Sequence, residues 1–562
     1  MASSIAVCRL HMRGRGSLGK CLQRVETFLH RNIATNVVAA QGEAHRKDEA
    51  DEKDGRRSLC AVQAERQGQA ERSVLISCPS NEKRLLKYLS THGNINKCFF
   101  YESYGIYAVV EFANRESVAS LLEEAAIPSV SHEAIVPFKS RLLSLKKSAS
   151  LNSPNQKLCK PQITIPINQL IQRLSTEESI DQQVTSLTEA YQLTEENSRL
   201  RFLVCSLLKD IAGAYFPECT IKPFGSSVNG FGKLGCDLDM ILDLDGISGK
   251  KETTPKAGLS LEYELKRANS ERAVTQSILS VIGECVDQFG PGCVGVQKIL
   301  NARCPLLRFA HQPSGFQCDL TANNRVAVKS TELLYLYGEL DPRVRFLVFT
   351  VRCWARAHGI TSSIPGAWIT NFSLTVMVLF FLQRRSPPII PTLDHLKDLA
   401  GPADKSMIEG NDCTFVSDFS KIQLESNTET LEQLLREFFE FYASFAFSRM
   451  SINIRKGKEQ NKPEVAPLHI QNPFETSLNI SKNVNASQLD RFVALCQESS
   501  WLLQQSETNT PRGRTEGNPP TPWGLAALLL PTQVAGIKRR KKRKLEPSSL
   551  RIKGLLESLK KS

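Results

Sequence analysis

The sequence predicts an α+β protein: a mixed sheet with covering helices, then a largely helical domain, with a small independent unit ahead of both. Three observations lead there. Between residues 163 and 498, apolar positions repeat at helical spacing in some stretches and alternate in others, as helices and strands require. Residues 220–224, the stretch from Asp237, and residues 296–300, 304–311 and 316–321 read as strands. Residues 73–125 follow the order strand, helix, strand, strand, helix.

With 562 residues the chain is too long for one core and long enough for about two or three. Its 41% hydrophobic and 23% charged content is that of a soluble globular protein. The longest apolar run, residues 374–382, is far shorter than a bilayer requires, so it predicts a buried helix and no membrane span. The 16 cysteines contain no Cys-x-x-Cys pair, which points to reduced thiols and no structural zinc. A formal net charge of +13 favours a polyanionic partner, RNA or DNA before a membrane. The alternative is a neutral body with a basic tail, because Lys538, Arg539, Arg540, Lys541, Lys542, Arg543 and Lys544 form an unbroken run.

In order along the chain, residues 1–41 carry Arg9, Arg13, Arg15, Lys20, Arg24 and Arg31 against one acid, Glu26, which reads as a mitochondrial transit peptide and a matrix location. A disordered basic N-terminus is the other reading. Residues 42–72 are polar and low in aliphatics, as in a linker. The unit at 73–138 has the element order of an RNA-recognition motif, which it resembles. Its base-stacking places hold Tyr107, Val109 and Leu75, only one of them aromatic. The unit is therefore expected to self-associate into a homodimer or to dock on the catalytic body. Residues 139–161 read as a second linker, 162–340 as the sheet domain, 341–500 as the helical domain, and 501–562 as a disordered basic tail. That tail either holds RNA by counterion release or serves as a nuclear-import patch; RNA contact agrees with the N-terminal signal.

The segment from Phe224 to Met240 carries the chemistry. Gly225 and Ser226 follow a short strand, and a glycine there lets backbone amides and the Ser226 hydroxyl approach a phosphate. Ten residues separate Ser226 from Asp237. Asp237 and Asp239 are two apart on a strand and so share a face. Two such carboxylates repel unless cations lie between them, which suits a pair of metal ions about 4 Å apart. Asp243 and Asp245 alternate onto the same face, but the first pair is chosen because the turn must lie close to the metals. Asp319, amid apolar residues of the strand at 316–321, supplies a third carboxylate that burial alone would penalise.

The Gly-Ser turn, spacer and Asp-x-Asp pair resemble the DNA polymerase β-like nucleotidyltransferase superfamily. Asp319-Leu-Thr-Ala-Asn-Asn324, Thr331, Val351-Arg-Cys-Trp-Ala-Arg356 and Asn472-Pro-Phe-Glu475 narrow the resemblance to its divergent poly(A) polymerase and terminal uridylyltransferase branch, over residues 161–498. With the arginine-rich start and the degenerate recognition unit, the mitochondrial members match best. The resemblance implies a nucleotidyltransferase palm followed by a poly(A)-polymerase-associated domain. It implies two Mg²⁺ (or Mn²⁺) ions on Asp237, Asp239 and Asp319, with ATP and an RNA 3′ end as substrates. Phe224, Gly225 and Ser226 would bind the nucleotide, Asn324 and Thr331 its ribose, Arg352 and Arg356 its triphosphate, and Phe372 its base. Uridylyltransferases of this branch often place a histidine just after Pro-Phe-Glu; here Leu478 stands at that position and no histidine follows up to Val484. That favours ATP. A uridylyltransferase and an inactive RNA-binding scaffold remain the rivals.

Overall fold

The computed structural model describes residues 56–78, 82–126, 139–145, 164–217, 219–243, 270–362, 364, 366–508 and 521–531. The expected transit peptide, Asp245 and the basic run 538–544 lie outside the described residues.

The first unit is a four-stranded sheet of order β2-β3-β1-β4, built from β1 (Ser73–Ser77), β2 (Ile95–Glu102), β3 (Ile106–Phe112) and β4 (Leu142–Ser144). Three helices accompany it: α1 (Leu59–Glu71), α2 (Glu82–Leu89) and α3 (Arg115–Glu124). Strand alternation gives the sheet two apolar faces. Val74, Ile76, Ala108, Val110 and Phe112 pack against α2 and α3. Leu75, Val109 and Tyr101, with Phe99 and Tyr107 beside them, belong instead to the core of the following domain. The buried Tyr101 hydroxyl donates to Pro313 O at 2.7 Å, and Ser103 Oγ donates to Gln312 O at 2.8 Å. The face on which a recognition motif would stack bases is therefore covered, and the unit docks on the body.

The central domain opens with α4 (Ile167–Leu174), α5 (Ile180–Tyr191) and α6 (Glu195–Gly213). Its sheet has the order β5-β6-β9-β8-β7, from β5 (Thr220–Pro223), β6 (Leu238–Asp243), β7 (Cys293–Ile299), β8 (Leu306–His311) and β9 (Phe316–Ala322). β6 and β9 run parallel and the other neighbours antiparallel. Leu238, Met240, Leu307, Phe309, Cys318 and Leu320 point into a core shared with α6 and α7 (Glu271–Phe289). Alternation turns the residues between them to the open face.

The second core gathers α8 (Arg325–Leu340), α9 (Pro342–Ala357), α10 (Asn371–Gln383), α11 (Leu393–Asp398), α12 (Leu431–Ser444) and α13 (Ala486–Thr508). Asp341 caps α9 by accepting from Arg343 N at 2.9 Å, and Pro342 occupies its first turn. α10 is the apolar run noted above and is buried on every side, with Ser373 to Gln383 inside. No helix of the described residues is long and apolar enough to cross a membrane.

Three expected boundaries need correction. Residues 59–71 of the first linker form α1, capped by Ser58 and tied to the body by Gln63 Nε2 to Pro223 O (3.1 Å) and an Arg66–Glu195 ion pair. Its tertiary partners are polar, so it shows no apolar stripe. In the second linker, Leu142–Ser144 add β4 parallel to β1, and the buried Arg141 beside it donates to Asp210, Ser206, Ala70 O and Ser73 O. A three-residue strand is too short for periodicity to register. In the tail, α13 runs to Thr508 and α14 (Gly524–Leu528) buries Leu525, Ala526 and Leu528 in the second core. His358 Nε2 bonds to Leu528 O at 2.7 Å.

If the docked sheet face stabilises the molecule, Tyr101→Phe costs about 1 kcal/mol. Tyr101→Ala costs about 3 kcal/mol, read from the midpoint of denaturant unfolding. An unchanged midpoint for Tyr101→Ala contradicts the docking.

Candidate active site

The sheet places four open-face residues at one level. Asp239 on β6 is the register partner of Asp319 on β9, Asp319 of Arg308 on β8, and Arg308 of Gln297 on β7. The two carboxylates thus face each other across a parallel ladder. Asp237 sits one residue ahead of β6. Burial, then the charge of Asp319, raises the pKa of both Asp237 and Asp239, and that of Asp239 reaches about 7. The charges of Arg308 and the buried Arg201 draw both back down. Arg308 forms a two-pronged pair with Asp319, Nε to Oδ1 at 2.8 Å and Nη2 to Oδ2 at 2.6 Å.

The glycine turn lies directly against this row. Phe224 N donates to Asp239 O at 3.0 Å. Gly225 has φ +63°, and a Cβ there would come to 3.3 Å from Asp239 Oδ2, so glycine serves both the conformation and the approach. Ser226 Oγ lies 3.6 Å from Cys236 Sγ. Asp243 is at the far end of β6, opposite Thr220 and away from the turn.

Two residues given nucleotide roles by resemblance have partners within the protein. Thr331 is buried beneath the turn, where its hydroxyl accepts from Gly225 N at 2.9 Å and donates to Ala327 O at 2.8 Å. It holds the turn rather than facing open space. Arg352 donates to Phe231 O (2.8 Å), Thr375 Oγ1 (2.6 Å) and Asn371 O (3.3 Å), fastening the loop after the turn to α10. Burial lowers its pKa to about 10. Arg356, one turn on, is exposed.

Asn324 begins α8 and Phe372 packs half-buried at the start of α10. Leu478 lies in the loop closed by Asn472, whose side chain accepts from Phe474 N (3.0 Å) and Glu475 N (3.1 Å). Leu478 O accepts from Asn472 N at 2.9 Å. A Glu475–Arg303 ion pair joins that loop to the β7–β8 connection.

Arg201, Lys233 and Arg308 were missed in the sequence. Lys233 lies within the motif, its ammonium 5.1 Å from the Tyr191 ring centre, and its pKa is lowered by burial and by Arg356. A lysine between the turn and the aspartates was the available signal. Arg201 and Arg308 gave none, since only the folded sheet brings them to the site.

Among the described residues, no group of three His, Cys, Asp or Glu side chains forms a ready metal cage; Asp319 is taken up by Arg308. The donor chemistry still fits a divalent cation. Asp237, Asp239 and Asp319 are hard oxygen ligands, and the raised pKa values of Asp237 and Asp239 record burial and then mutual repulsion, which a cation would relieve.

The chain is 58% identical over 536 residues to the mitochondrial poly(A) RNA polymerase of Mus musculus, covering 94% of this chain and 89% of that protein. The chain belongs to the mitochondrial poly(A) RNA polymerase family. The Homo sapiens member is 57% identical over 507 residues (90% and 86%), and that of Drosophila melanogaster 35% over 462 residues (79% and 75%). The family's central palm domain matches residues 180–339, and an RL domain matches 58–126. The RL domain thus takes in α1. The crystal structure of mtPAP in complex with ATPγS aligns with TM-score 0.77 and 54% identity, covering 85% of this chain and all of that one; the apo form aligns at 0.78. As a member of this nucleotidyltransferase family the chain is an enzyme whose fold implies use of a divalent metal.

Arg352→Ala is expected to lower the melting temperature, by about 2 kcal/mol of lost stability, together with ATP affinity. Weaker ATP binding with an unchanged melting temperature would return Arg352 to the role of phosphate clamp.

Proposed function

We propose that this chain extends RNA 3′ ends without a template, joining AMP from ATP and releasing pyrophosphate. The observation that carries the proposal is the row of carboxylates lying against the Gly225 turn in a chain of this family. The turn offers backbone amides and the Ser226 hydroxyl to the triphosphate. Lys233 and Arg356 set positive charge at the other side of the same loop. Asp237 and Asp239 would hold two Mg²⁺ or Mn²⁺ ions, with Asp319 sharing the one that serves the nucleophile. When bound, the ions acidify the RNA 3′-hydroxyl and neutralise the departing phosphates. The protein's own part is to keep three carboxylates in register and to release Asp319 from Arg308 as cationic charge arrives.

For the base, Leu478 offers no hydrogen bond, so nothing at that position favours uracil. Crystal structures of mtPAP exist with UTP, GTP and CTP as well as ATPγS. Selection for ATP is accordingly a preference rather than an exclusion. We assign the chain to the mitochondrial matrix on the arginine-rich residues 1–41, and RNA backbone contact to the basic run 538–544. The homodimer expected of the N-terminal unit would have to use a surface other than the sheet face already docked on the body.

Primer extension with a labelled oligoribonucleotide, Mg²⁺ and each nucleotide in turn tests this. ATP should give the longest ladder and UTP a shorter one. Asp237→Ala and Asp239→Ala should each lose activity by roughly 10³-fold or more with unchanged melting. Tailing at the wild-type rate by either variant would remove the assignment.

Asp239 also predicts a pH dependence. Its carboxyl keeps a proton below about pH 7 in the metal-free protein, and that proton competes with the cation. Apparent Mg²⁺ affinity should fall as pH drops through about 7 and level off above it. A flat profile from pH 6 to 8, measured by Mg²⁺ titration, would contradict the burial of Asp239.

A further inference from the structure

The ladder that pins Asp239 opposite Asp319 begins only at Leu238↔Cys318, one residue after Asp237. No strand pairing therefore fixes the backbone of the first metal-binding carboxylate. α6 supplies another hold. Arg201, with no exposed surface, sends Nε to Asn197 Oδ1 (2.8 Å), Nη1 to Ser227 Oγ (2.9 Å) and Asp237 O (2.9 Å), and Nη2 to Cys236 O (2.7 Å). Its guanidinium lies 4.7 Å from the centre of the Phe316 ring on β9. One planar group thus joins the last residue of the phosphate-binding turn to the two peptide carbonyls that lead into the Asp237–Asp239 pair. Because it bonds carbonyls and a hydroxyl, it leaves the carboxylate oxygens free.

We propose that Arg201 is the positioning residue of this active centre, replacing the missing ladder at Asp237 and holding that carboxylate in register with the phosphate-binding turn. Arginine is required because a fixed fork of donors reaches three acceptors on two segments at once. Lysine keeps the charge as a point and loses most of the ties. The proposal rests on Asp237 holding metal, and the experiment separates the two.

The full chain and its Asp237→Asn, Arg201→Lys and Ser227→Ala variants are titrated calorimetrically with Mn²⁺ in the presence of ATPγS. Circular dichroism reports folding, and kcat and KM for ATP are measured alongside. Asp237→Asn should lose Mn²⁺ binding; if it binds as the wild type does, the metal reading itself fails. Folded Arg201→Lys should bind Mn²⁺ roughly tenfold more weakly. Its kcat should fall, and added Mn²⁺ should restore part of it. Wild-type Mn²⁺ affinity in folded Arg201→Lys, with Asp237→Asn inactive for binding, overturns the role of Arg201. Should Arg201→Lys fail to fold, Ser227→Ala decides: it removes one tie and leaves the buried charge in place. It should weaken Mn²⁺ binding about threefold, and an unchanged affinity overturns the proposal.

Discussion

Asp239 and Asp319 are register partners on adjacent parallel strands, and much of the molecule around them works to keep two like charges in that position. A sheet ladder sets their spacing without regard to their repulsion. Burial, with the repulsion added to it, moves Asp239 to a pKa of about 7. The protein offsets it locally with two arginines placed differently. Arg308 takes the Asp319 oxygens directly, so a cation held at Asp319 would have to displace it. Arg201 stays on the backbone behind the site and need never move. The glycine turn completes the arrangement, because a residue without a side chain takes the φ of +63° and lets the turn come this close to Asp239.

The two flanking units are integral to that centre. The N-terminal sheet gives its second apolar face, through Leu75, Tyr101 and Val109, to the core that also holds Met240 and Leu320, the immediate neighbours of Asp239 and Asp319. The helical domain reaches the site through Arg352, which ties the loop after the turn to α10, and through the Glu475–Arg303 pair at the loop that carries Leu478. A recognition-like sheet has here become a wall of the catalytic core, and this explains why its stacking positions hold Leu75 and Val109 instead of rings.

Much of this was legible in the sequence where the signal was local. The 225–239 motif, the strand at 316–321, the apolar α10 and the order of the first unit follow from spacing and alternation alone. What escaped was set by distant partners. α1 lacks an apolar stripe because Gln63 and Arg66 make its tertiary contacts. β4 is three residues long, and α14 hides in a Thr/Pro/Gly-rich stretch yet inserts Leu525 and Leu528 into the core. Thr331 and Arg352 were found by resemblance but given open-facing roles; only the fold shows Gly225 N above one and Phe231 O beside the other. Arg201 and Arg308 belong to no motif and enter through helix and strand geometry.

The most direct test is a crystal structure of the chain with Mn²⁺ and ATPγS, with anomalous scattering used to locate the metal. The account predicts manganese peaks among Asp237, Asp239 and Asp319, the triphosphate on the Gly225–Ser226 turn, and Arg308 withdrawn from Asp319. Arg308 still paired with Asp319, with no manganese at the carboxylates while nucleotide is bound, would contradict it.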